Sequence, residues 1–168
     1  NWQGQLSTAG DTVPEASAET AAPTSIAEAV QLAQARAKNV RFLPSAHASA
    51  ADSPYRQPER VLQALSALEE VASIWAETVG SGKAGGSVRQ LFKARGFEYA
   101  DDVSQTSKGK WGTEYIADYK GKQVDISPHI TLGAKQADTC LSIHWAWLRD
   151  EKAALVAHVG RHKTNTKT

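Results

Sequence analysis

The sequence predicts an α+β domain: helices first, then a mostly antiparallel sheet of about four or five strands. Three observations carry that expectation. Apolar residues recur at helical spacing between Val61 and Val79. After Gly96 the pattern turns to alternation. The chain then closes on two strand-like runs, CLSIHWAW from Cys140 to Trp147 and AALVAHV from Ala153 to Val159, joined by a short polar turn. Helices packed on one face of a sheet follow from that order.

A chain of 168 residues is long enough to bury a core. Residues 1–24 stand apart. They are small, polar and interrupted by Pro14 and Pro23, so they cannot bury enough apolar area to offset the entropy of ordering. They read as a flexible linker, and residues 25–168 as a single domain. A linker joins two things. With no Met in the sequence and Asn1 at its start, the expectation is the C-terminal part of a longer protein with a further N-terminal domain. No run approaches the roughly 20 apolar residues of a membrane span, so no membrane partner is expected. The single Cys140 cannot form an internal disulfide and fits a reducing, cytoplasmic compartment. Net charge is +1. Residues 1–36 set Asp11, Glu15, Glu19 and Glu28 against Arg36, a net −3, which leaves +4 for the rest. That is short of the basic stripe of a dedicated nucleic-acid binder.

The first helix is expected over about Ile26–Lys38, with Ser25 and Glu28 at capping-box spacing. Val40–Leu43 is a short strand candidate, stopped by Pro44, and a turn-rich loop marked by Asp52-Ser53-Pro54 follows. The second helix opens at Pro58. Val61, Leu65, Leu68, Ala72, Trp75 and Val79 form its apolar stripe, with Glu59, Glu69, Glu70 and Glu77 off it. The run GSGKAGG ends it. That run lacks the full phosphate-loop pattern and reads as a connection between helices. A third helix begins at Ser87, points Val88, Leu91 and Phe92 inward, and stops at Gly96. Glu114–Tyr119 and Lys122–Ile126 read as a hairpin about Lys120-Gly121. Ser127-Pro128 breaks it, and His129–Leu132 resumes as an edge segment.

In the terminal hairpin a three-residue loop, Arg149-Asp150-Glu151, is expected to set Leu148 against Lys152. Trp147, Trp145, Ile143 and Leu141 then oppose Ala153, Leu155, Ala157 and Val159, an entirely apolar face. The other face carries Ser142 opposite His158, with His144 as its diagonal neighbour. Small neighbours would leave both rings accessible. Three readings follow. The histidines are ordinary strand residues, or they do acid–base work beside a phosphate held by Arg161. The third is a metal site from His144, His158 and His162 or His129, with Cys140; it has no CxxC or HExxH pattern behind it, so neither metal nor cofactor is assigned.

The segments SPYRQPERV, PHITLG, CLSIHWAW and HVGRH together resemble a family of poorly characterised bacterial domains found at the C-terminus of longer proteins, over roughly residues 26–168. The closing strand, turn, strand and basic exit also resembles the end of RelE/ParE-type toxins. That resemblance implies a small α+β fold and, for some members, cleavage of messenger RNA by basic and tyrosine side chains. Here the exit offers Arg161 and His162 and no final tyrosine.

The function expected is therefore a nucleic-acid-acting, RNase toxin-like module without a metal. Its catalytic candidates are His144, His158, Arg161 and His162. Lys108, Lys110, Lys120, Lys122 and Lys163 are the candidates to bind RNA or DNA. The rival is a non-catalytic interaction or assembly domain, for which five tryptophans would supply anchors.

Overall fold

The computed structural model describes residues 22–81, 87–101, 115–133 and 140–161. Residues 1–21 of the expected linker, residues 82–86 of the Gly-rich run, Glu114, and the candidates Lys108, Lys110, His162 and Lys163 lie outside them. In chain order the elements are α1 (Ile26–Arg36), β1 (Val40–Phe42), α2 (Pro44–Ala51), α3 (Pro58–Ser81), α4 (Val88–Ala94), β2 (Glu98–Ala100), β3 (Ile116–Tyr119), β4 (Lys122–Asp125), β5 (His129–Gly133), β6 (Cys140–Leu148) and β7 (Ala153–Arg161). The fold is α+β. Five strands form one sheet in the order β1-β7-β6-β5-β2, and β3 and β4 form a separate two-stranded sheet. All pairings are antiparallel except β1 with β7.

Local chemistry starts and stops the helices. Ser25 Oγ accepts the Glu28 amide at 3.0 Å, and Ser87 Oγ the Gln90 amide at 3.4 Å. Gly96, at φ +87°, closes α4, a backbone conformation that a β-carbon disfavours. Val61, Leu65, Leu68 and Ala72 of α3 are buried; Trp75 and Val79 are partly so. The four buried ones share a core with a sheet face built from Leu141, Ile143, Trp145, Val156 and Val159. Tyr99 stacks on Phe92 and Trp145 at 5.3 and 5.7 Å, and Trp75 lies 4.6 Å from Trp147. Trp145 is thus part of this core and Trp147 packs against it.

Four expectations need correction. The loop after Pro44 begins as a helix: Pro44 not only stops β1 but sits at the first helical position of α2, where its missing N–H costs nothing. Residues 98–100, to which the sequence reading assigns no strand, pair with β5. β5 is therefore an interior strand, not an edge, and β1 and β2 are the edges.

The fourth correction is the register of the terminal hairpin. Leu148 pairs with Ala153, not Lys152, because Lys152 turns the chain at φ +53°. The pairs Trp147–Ala154, Ala146–Leu155 and Trp145–Val156 follow. The register then slips, so that His144 meets His158, Ile143 meets Val159, Ser142 meets Gly160 and Leu141 meets Arg161. Ala157 is the extra residue of a β-bulge. A bulge leaves a backbone group outside the ladder, and here the Ala157 carbonyl accepts a 2.7 Å bond from Ser45 Oγ of α2. One turn on, Ser49 Oγ accepts the Val159 amide at 2.9 Å. Helix α2 thereby satisfies the β7 edge where β1 ends.

Candidate functional site

The sheet face away from the main core carries the histidines. His129 of β5, His144 of β6 and His158 of β7 are directly paired across three adjacent strands. Since partners in a ladder project to the same side, the three rings form a row. His129 and His144 stack at 4.6 Å with 19° between their planes. His144 and His158 meet edge-on at 5.9 Å and 70°.

The short link between β4 and β5 holds two of these rings. The Ile126 carbonyl lies 2.9 Å from His144 Nδ1, and the Ser127 carbonyl 2.7 Å from His129 Nδ1. His158 Nε2 lies 2.7 Å from the Arg161 carbonyl. A carbonyl can only accept, so each of these nitrogens carries a proton. In the neutral rings the lone pair then falls on Nε2 of His129 and His144 and on Nδ1 of His158. Tyr115 covers the centre of the row, 5.7 Å from His144.

His144 and His158 share a face, as the sequence suggested, but they are opposed rather than diagonal. The expected accessibility of both rings does not hold. His144 is 1% exposed, closed in by Tyr115, His129 and the residue 126–128 link; His129 and His158 are partly buried and reach solvent. Arg161 pairs with Leu141, so the alternation of β7 sends its side chain to the face opposite the histidines. Only its carbonyl meets the row. Lys120 and Lys122 sit on the β3–β4 hairpin. Lys120 is committed to Glu151 at 3.2 Å, and Lys122 is exposed. Among the described residues no three His, Cys, Asp or Glu side chains are arranged to hold a metal ion. Cys140 is buried.

His129 is the functional candidate that sequence reasoning undervalued. It appeared only as an alternative ligand, because it lies on β5, outside the terminal hairpin that holds its partner His144. The signal was the Ser127-Pro128 break just before it, which fixes where β5 begins.

Beside the row lies a groove of about 580 Å³ that reaches His158. A small apolar cluster, Ile126, Ala146, Leu155 and Ala157, packs beneath the hairpin next to it. The hairpin is tied down at its tip. Glu151 accepts bonds from Arg41 Nε at 2.8 Å, Tyr119 Oη at 2.9 Å and Lys120 Nζ at 3.2 Å. The bond from Tyr119, with those from Lys120 and Arg41, holds the Glu151 carboxyl below the usual carboxylate range.

No protein-family model, curated protein or solved structure matches this chain. Among the described residues no helix is long and apolar enough to cross a membrane.

Proposed function

We propose that this chain is a nucleic-acid-acting α+β domain that cleaves RNA by acid–base chemistry at the histidine row. The observation that carries the reading is the in-register placement of His129, His144 and His158 on three neighbouring strands, each with one ring nitrogen committed to a main-chain carbonyl. Burying an imidazole is costly, and His144, sealed between two partly exposed histidines, is a local rule broken where function would break it.

RNA suits imidazoles because its 2′-hydroxyl supplies the nucleophile. One ring takes the proton of that hydroxyl as it attacks phosphorus, and a second gives a proton to the departing 5′-oxygen. His158, with its lone pair on Nδ1, is assigned as the base. His129, in its protonated form, is assigned as the acid. His144 is sealed from solvent and acts by stacking between them. Neither His144 nor the Arg161 side chain touches substrate in this reading.

The test is cleavage of a DNA oligonucleotide carrying one ribonucleotide. The chain is expected to cut after that residue and leave a 2′,3′-cyclic phosphate. His129→Ala and His158→Ala should each slow the reaction by about 10²–10⁴-fold. Wild-type protein that cuts no RNA in a panel of sequences, or cutting that survives both substitutions, overturns the reading. The exposed edge of β3 favours a second reading, an interaction module.

A further inference from the structure

The β3–β4 hairpin pairs only with itself among the described residues. The Tyr115 carbonyl accepts the Ile126 amide at 2.9 Å. Bonded and non-bonded pairs alternate along an antiparallel ladder, so the pairs Ala117–Val124 and Tyr119–Lys122 are bonded too. The N–H and C=O groups of Ile116 and Asp118 therefore point away from β4, toward the groove beside α2. That groove is lined by Leu43 and Pro44 on the helix side, by Ile126 and Ala157, and by Ile116 and Asp118 on the strand side.

Two side chains mark this edge. Ile116 is 46% exposed, the one exposed large apolar side chain among the described residues. Asp118 is exposed, and among the described residues no Lys or Arg lines the groove. We propose that the free edge of β3 takes an extended peptide as a third strand, one with a basic side chain beside Asp118 and apolar side chains elsewhere. Backbone bonds to Ile116 and Asp118 supply the register. Period-two alternation turns small apolar residues of the peptide inward onto Leu43, Ile126 and Ala157, and sets its outward residues against Ile116 and Asp118. The lone carboxylate selects a cationic partner over an anionic one. The proposal does not depend on the acid–base reading.

The probe is a blocked peptide, Lys-Val-Ile-Val-Lys-Val-Ile, titrated into the full chain. Binding should slow amide exchange at Ile116 and Asp118. A Glu-for-Lys peptide and an Asp118→Lys chain should each bind about three- to tenfold more weakly. Asp118→Pro removes an outward N–H that the β4 ladder does not use, so the hairpin survives and docking is lost. Absence of binding overturns the proposal, as does binding indifferent to Asp118→Lys. Amides at Ile116 and Asp118 already protected in the free monomer would show the edge covered by this chain's own residues. Protection that rises with protein concentration would show a second copy there. Either result also overturns it.

Discussion

A β-carbon built on Gly160 would sit 2.8 Å from the Ser49 carbonyl oxygen, and the obstacle is α2 backbone rather than a movable side chain. Gly160→Ala should therefore cost about 1–3 kcal/mol in denaturant unfolding, by pushing α2 off the β7 edge. A change under roughly 0.5 kcal/mol would mean that α2 yields freely. Glu69 works by the opposite means. Its carboxylate accepts the Lys38 and Asn39 amides at 3.0 Å and so pins the α1–β1 connection to α3. The sequence placed Glu69 only as a polar residue off the stripe, because a bond to backbone 30 residues away leaves no periodic mark. The histidines were half legible for a similar reason. His144 and His158 share a hairpin, so their common face could be read locally. His129 joins them through a loop whose register the alternation pattern does not carry.

The β3–β4 hairpin is the element whose attachment should answer to pH. Its tether is Glu151, with its carboxyl held below the usual range by Tyr119 and then by Lys120 and Arg41. The Lys120 ammonium is raised in turn, chiefly by its bond to Glu151. A depressed carboxyl contributes stability above its unfolded pKa, and the contribution goes as pH falls through the folded value. A raised ammonium contributes below its unfolded pKa and loses that contribution as pH rises through the folded value. The tether is therefore complete at neutral pH and released by acid below about pH 4. Protection factors at the Ala117 and Val124 amides should fall there ahead of those in β6, and Glu151→Gln should reproduce the fall at pH 7. Equal protection down to pH 3 would contradict this. Among elements, α3 was plain from the sequence because its stripe keeps one period for six positions. Helix α2 was hidden: eight residues rich in Ala and Ser, opened by a Pro that also stops a strand, show no such stripe. The bulge at Ala157 hid the hairpin register, since two apolar half-registers one residue apart are invisible to any single fixed pairing.

At the scale of the whole molecule the buried stripe of α3 shares one core with β6 and β7. Leu68 is fully buried, and Leu68→Ala should cost about 2–5 kcal/mol by thermal or denaturant unfolding. A loss below roughly 1 kcal/mol would show that the stripe is not the core. The position of β7 adds a consequence in time. It pairs with β1 on one side and β6 on the other, and α2 bonds to it across 112 residues of chain. At about 5–20 residues per second, a ribosome takes on the order of ten seconds to deliver β7 after α2 has emerged. Until then β1 lacks its strand partner, and the core residues that pack on Val156 and Val159 of β7 stay uncovered there. A newborn chain must therefore wait, exposed, for β7, and that interval is when a holding chaperone would find it.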